Sequence, residues 1–167
     1  VCLGKALTGG FPLSACVGRA DVMDRAWPEA TGEAIHTSTF LGHPVGCAMA
    51  LSQIREIRSR RLPQRSERLG AVLRARLSRM AVPAGLVADV RGLGLMVGFE
   101  LSHRDGRPAC DVVAEIVRIM LDRGFLVLPE GEHGNVLAFT PPLIISQNDL
   151  ERAVEALADA LAQLGPA

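Results

Sequence analysis

The sequence predicts a mixed α/β chain whose second half is a small α+β domain, and three observations carry this. Short β-rich runs alternate with helical stretches beyond Val87, the helical stretches repeat apolar residues at three- and four-residue steps, and Gly, Pro and Ser-x-x-Asp signals punctuate the boundaries. Val1 to Gly4 reads as the end of a buried strand, followed by the turn Thr8-Gly9-Gly10 and Pro12, with Leu13 to Gly18 as a second strand. Ala20 to Trp27 reads as a short helix stopped by Pro28, and Glu29 to Ile35 as a polar loop leading to His36 and His43-Pro44. Pro44 suits the first turn of a helix, and Val45, Ala48, Leu51, Ile54 and Ile57 or Arg58 are its expected buried stripe.

Pro63 interrupts that pattern, after which Leu69, Val72, Leu73, Leu77 and Met80 make another amphipathic helix. Val87 to Val90 and Leu95 to Leu101, flanking Arg91-Gly92-Leu93-Gly94, read as a hairpin or bent pair. Ala109 to Arg123 is predicted helical through Val112, Val113, Ile116, Ile119 and Met120, with Gly124 placed to end it. Phe125 to Leu128 and Val136 to Phe139 read as strands. Ser146 and Asp149 form a start signal for a terminal helix through Leu150, Val154, Leu157, Leu161 and Leu164.

Composition narrows the class. The 167 residues are 49% hydrophobic, enough for a real core, and 18 basic side chains balance 18 acidic ones. That balance leaves no electrostatic footprint for nucleic acid or an anionic membrane. The Arg-rich stretch Arg55 to Arg68 carries no interleaved aromatics for base stacking and reads as a solvated helix face. Apolar runs such as Leu93 to Phe99 fall far short of the roughly 20 residues that span a bilayer. Cys2, Cys16, Cys47 and Cys110 are widely spaced, without a metal-like cluster, and are expected to be small, buried and reduced, in a cytoplasmic protein. The abrupt start, apolar residues running straight into Lys5 with no initiating Met, gives the expectation of a C-terminal fragment.

Lys5 is the one lysine among the 18 basic side chains. Where plain positive charge is needed this sequence uses arginine, which stays protonated, whereas an amine can lose its proton, act as a nucleophile and form a Schiff base. Two readings of Lys5 stand at this point: a reactive amine, or a surface residue in a composition that disfavours lysine.

Four segments in order decide between them. Gly4-Lys5-Ala6-Leu7-Thr8-Gly9-Gly10-Phe11-Pro12-Leu13-Ser14-Ala15 with Gly18-Arg19 resembles the lysine segment of class III pyridoxal-phosphate-dependent aminotransferases. His36-Thr37-Ser38-Thr39-Phe40-Leu41-Gly42-His43-Pro44 resembles that family's phosphate-contact segment, and Val90-Arg91-Gly92-Leu93-Gly94-Leu95-Met96-Val97-Gly98 and Pro141-Pro142-Leu143 resemble its C-terminal signatures. The resemblance implies a fold-type I transferase, with residues 1–60 as the end of an incomplete large cofactor domain and residues 61–167 as the small α+β C-terminal domain. It implies a transaminase that moves an amino group from an amine or an amino acid, ω-amino acids included, to a keto acid such as pyruvate or 2-oxoglutarate. Related aminomutases, racemases and lyases share its cofactor, pyridoxal 5'-phosphate.

By the same resemblance, Lys5 would hold the cofactor and then act as general base and acid. Thr39, with Ser38 beside it, would bind the cofactor phosphate of the neighbouring subunit in a homodimer. From the residues alone a Ser/Thr turn capping the Pro44 helix remains open for Thr39. His36 and His43 read as hydrogen-bonded structural residues, and Arg91 as a structural hub. One position departs from the family: where many members clamp a substrate carboxylate with arginine, this chain has Ala138. The acidic partner of the ring nitrogen, the phosphate-binding turn and the stacking aromatic lie upstream of the lysine in the family, so the chain alone is expected to be inactive. A non-catalytic interaction module is the competing reading, and it has no reason to combine Lys5 with Thr39.

Overall fold

The computed structural model describes residues 1–33 and 39–165. The chain divides into two compact units, Val1–Arg61 and Leu62–Ala167.

In the first unit, strands β1 (Cys2–Leu3) and β2 (Ala15–Cys16) pair antiparallel. A single 3-10 turn, Lys5–Leu7, and the Gly9-Gly10 reversal join them. Gly9 and Gly10 have φ of 70° and 126°, conformations that glycine adopts without a Cβ clash. Thr8 is buried and its hydroxyl donates to the Phe11 carbonyl, closing the turn. Helix α1 (Ala20–Ala26) ends before Pro28. Helix α2 (Pro44–Ser59) starts with proline in its first turn and ends through Arg61, which takes the left-handed conformation (φ 49°) usual for glycine at a helix end.

The buried face of α2 differs from the expected stripe. Val45, Leu51 and Ile54 are exposed, and Gly46 and Ala50 are buried instead. The cause is close approach: a Cβ on Gly46 would stand 3.4 Å from the Phe11 ring and 3.5 Å from Leu13. The smallest residues of the helix, and not its largest apolar ones, face the Lys5 turn. The expectation of buried cysteines also fails, since Cys2, Cys16 and Cys110 are exposed and Cys47 is half-buried, all four free.

The second unit begins with helix α3 (Leu62–Leu77), with Pro63 in its first turn. Strands β3 (Leu86–Leu93) and β4 (Met96–His103) form the hairpin expected around Gly94. Helix α4 (Cys110–Asp122), strands β5 (Leu128–Glu130) and β6 (Val136–Phe139) and helix α5 (Gln147–Gln163) follow. The sheet order is β3-β4-β6-β5, antiparallel throughout. The β5 strand lies later than Phe125 to Leu128, because Val127 is drawn into the core and the edge position tolerates Pro129, which has no N–H to give. Ser146 caps α5 as its spacing predicts, its Oγ accepting from Asp149 N at 3.0 Å.

Alternation on β4 sends Val97, Phe99 and Leu101 into the core with Leu137 and Phe139 of β6. Helices α3 and α4 contact the sheet and α5 packs on both. Leu69, Leu73, Val113, Ile116, Met120, Leu157 and Leu161 fill the layer between. The tightest point is Gly70 of α3 against the hairpin turn: a Cβ there would come within 1.8 Å of the Gly94 carbonyl oxygen. Ser66 Oγ, one turn earlier, accepts from Leu95 N at 3.0 Å.

Two outcomes follow from this packing. Gly70→Ala should destabilise the second unit by about 1–3 kcal/mol through overpacking, read as lost hydrogen-exchange protection of the Phe99 and Leu101 amides. In the unaltered chain, amides of β4 and α5 should exchange far more slowly than those of residues 1–33, because the cluster of buried apolar side chains runs from Leu69 to Leu161. Equal protection in both units would contradict that contrast.

Candidate active site

Lys5 stands where β1 ends. Its φ is 48°, so a non-glycine residue holds a left-handed backbone at the first position of the 3-10 turn; among the described residues only Arg61 shares this. Leu7 N donates to Gly4 O at 3.0 Å and Gly9 N to Ala6 O at 3.3 Å, so one backbone bond spans Lys5 and the next braces the turn after it. Lys5 is exposed and lines a cleft with Ala6, Gly9, Gly10, Phe11, Pro12 and Leu13. A primary amine in a cleft of glycine backbone and apolar side chains suits covalent capture of a flat, carbonyl-bearing molecule: the glycines permit close approach and Phe11 and Leu13 offer apolar walls.

Thr39 opens the turn that leads into α2 and is exposed. The residue at the N-cap of α2 is His43, and no side chain caps that helix end, so Thr39 is not the cap. Ser38 and His36 lie outside the described residues. No hydrogen bond or ion pair joins Lys5 to Thr39. His43 departs from the hydrogen-bonded role expected of it: its ring lies 5.4 Å from Phe11 and 6.1 Å from Phe40, and its Nδ1 is buried without a partner. The contact between His43 and Phe11 ties the start of α2 to the loop after Lys5. Sequence reasoning missed it, as it missed the Thr8 hydroxyl; a Thr directly before Gly-Gly was the available signal for the latter.

In the second unit, one row crosses the sheet through Arg91, Gly98, Ala138 and Leu128. The row lies on the face opposite Phe99 and Leu137, and Ala138 is half-buried in it. Arg91 does not replace the missing arginine. Its guanidinium is shared between Asp89 at 3.0 Å and Glu100 at 2.5 Å, so it already has two carboxylates. Hydrogen bonding to Glu100, and then to Asp89, raises the Arg91 pKa above its usual value. Hydrogen bonds from Arg91, and then Asn135, hold Glu100 below the usual carboxylate range. Asn135, which sequence reasoning also passed over, is buried and donates to Glu100 Oε1 at 3.1 Å and Leu101 O at 3.0 Å. Among the described residues no group of His, Cys, Asp and Glu could hold a metal ion, and no helix is long and apolar enough to cross a membrane.

The sequence of residues 1–161 matches the family model for class III aminotransferases. The chain is 33% identical over 162 residues to 5-aminovalerate aminotransferase DavT of Pseudomonas aeruginosa, covering 96% of this chain and 37% of that protein. It is 36% identical over 166 residues to a leucine/methionine racemase of Thermococcus litoralis, covering 98% of this chain and 36% of that protein. An amine transaminase from an uncultivated Pseudomonas species, solved in its PLP-bound form, superposes with a TM-score of 0.80 at 30% identity, over 98% of this chain and 38% of its own. The chain therefore belongs to the class III aminotransferase family and shares its mixed α/β, fold-type I architecture. It spans little more than a third of the length of these relatives.

Glu100 supplies a pH test of the ion-pair cluster. Its lowered pKa means the bound carboxylate adds stability above the ordinary carboxylate value, and that contribution disappears as pH falls through the lowered one. Glu100→Gln should therefore lower the unfolding midpoint slightly at neutral pH, as for an accessible pair, and should match the parent in acid. A difference that persists in acid would assign the loss to packing.

Proposed function

We propose that the chain provides the cofactor lysine and the C-terminal domain of a cytoplasmic, homodimeric, pyridoxal-phosphate-dependent transaminase. The complete polypeptide would move an amino group from an amine or ω-amino acid to a keto acid such as pyruvate or 2-oxoglutarate. One observation carries the reading: the sole lysine, itself in a left-handed backbone conformation, opens a braced turn at a strand end and lines a cleft with its own glycine reversal. Family membership gives that lysine a reaction class. In this reading residues 1–60 close the large cofactor domain and residues 61–167 form the small one.

Lys5 Nζ would hold the cofactor, and Thr39, with Ser38, would offer hydroxyl and backbone N–H donors to the phosphate of the cofactor in the neighbouring subunit. When bound, pyridoxal phosphate supplies an electrophilic carbonyl carbon and a ring that accepts the electron pair left on the substrate carbon. Lys5 Nζ would take the proton from that substrate carbon and deliver it to the former carbonyl carbon of the cofactor, a general-base then general-acid role. The backbone bond that spans Lys5 supports this role by holding the base of its side chain. Ala138, with Arg91 engaged elsewhere, supports a donor recognised without an arginine clamp at that row of the sheet. Racemisation on the same cofactor is the second reading, favoured by the similarity to the leucine/methionine racemase.

In a polypeptide of the relatives' full length, Lys5→Ala should cut amino transfer by at least about 10²-fold, the scale of a lost general base, with an unchanged circular dichroism spectrum. Turnover near the parental rate would overturn the proposal. Thr39→Val should weaken cofactor affinity about 10- to 100-fold, as expected for a lost hydrogen bond to a charged group, measured by fluorescence titration.

A further inference from the structure

Three residues after Lys5 stands a hydroxyl to which the proposed reaction gives no part. Thr8 is 4% exposed, and Thr8 and Asn135 are the two buried polar residues among the described residues. Thr8 ends the 3-10 turn that Lys5 opens, its own N–H donating to Ala6 O. Its hydroxyl donates across Gly9 and Gly10 to the Phe11 carbonyl. Both glycines have positive φ, and glycine leaves such a conformation at little cost, so their backbone preference does not hold the reversal. The hydroxyl bond supplies that hold, because opening it inside the unit strands a buried donor without a partner.

Phe11 is the residue through which Thr8 acts. It lines the cleft together with Lys5. Its ring packs on the start of α2, 3.4 Å from where a Cβ on Gly46 would stand and 5.4 Å, centroid to centroid, from the His43 ring. Thr8 therefore fastens the turn that carries the amine to the backbone of a cleft wall whose side chain α2 already holds. Further polypeptide packed against this unit could only bury Thr8 more deeply, so the assignment needs no open surface.

We propose that Thr8 is a positioning residue for Lys5: its hydroxyl fixes the spacing between the Lys5 turn and the Phe11 wall, and so the placement of a carbonyl-bearing molecule captured between them. Thr8 exchanges no proton with the reacting atoms. Its effect on the loop rests on the turn alone, and its effect on rate rests on the transaminase reading of Lys5.

The test compares Thr8→Val, which keeps the shape and loses the donor, with Thr8→Ser, which keeps the donor, in a polypeptide of the relatives' full length. Without cofactor, Thr8→Val should speed hydrogen exchange of the Leu7 and Gly9 amides by about 10-fold and leave the α2 amides unchanged. With pyridoxal phosphate, it should lower kcat for amino transfer about 10- to 100-fold at an unchanged KM for the amino donor, as for a misplaced reacting group. Thr8→Ser should restore both. Thr8→Ala, read in the same way, covers the case in which a buried valine prevents folding. Parental exchange at Leu7 and Gly9, parental kcat, or a Thr8→Ser variant as impaired as Thr8→Val would each overturn the proposal. A parent that takes no borohydride-trapped cofactor on Lys5 would instead overturn the reading of Lys5, and the exchange comparison would still decide whether Thr8 holds the loop.

Discussion

Antiparallel pairing of Cys2–Leu3 with Ala15–Cys16 obliges residues 4–14 to reverse the chain, and Lys5 sits at the first step of that reversal. A lysine in an ordinary strand would alternate with its neighbours and point wherever the pleat sent it. Here the left-handed backbone at Lys5, the Leu7–Gly4 bond that spans it and the Thr8 hydroxyl on Phe11 take the chain out of the pleat. Gly46 of α2 then lets that helix settle against Phe11 and Leu13. The backbone that carries this amine is thus held by turn hydrogen bonds, and the loop after it by a close helix approach.

The two units use different physics. The second unit encloses aliphatic and aromatic side chains between a sheet face and three helices, and its closest contact is backbone on backbone, at Gly70 and Gly94. The first unit buries little beyond Thr8, Gly46 and Ala50, while Phe40, Leu41, Val45, Leu51 and Ile54 stand exposed. The contacts seen around Lys5 are turn hydrogen bonds, whereas the second unit is stabilised mainly by apolar burial. On the outer face of the sheet, Arg91, Asp89, Glu100 and Asn135 bind one another, so Arg91 is engaged beside the row at Gly98 and Ala138.

What was legible in the sequence follows the same division. Helices α4 and α5 could be read from their periodicity, because hydrophobic burial chooses their faces, and the Ser146 cap could be read from its spacing to Asp149. The face of α2 could not, since a close approach at Gly46 chose it against the hydrophobic pattern. The cysteines misled for a related reason: their usual preference for burial is a statistical tendency, and a two-residue ribbon leaves Cys2 and Cys16 uncovered. The Lys5 segment was legible as chemistry because a single amine among arginines is conspicuous. Its left-handed backbone and the partnerless His43 Nδ1 depend on three-dimensional contacts that no local pattern encodes.

The central claim is that Lys5 is the point of attachment for pyridoxal phosphate. Its most direct measurement is borohydride reduction of a polypeptide of the relatives' full length, equilibrated with the cofactor, followed by mass mapping of the modified residue. The account predicts a stable pyridoxyl label on the ε-amino group of Lys5. A label confined to other lysines, or none at saturating cofactor, would contradict it.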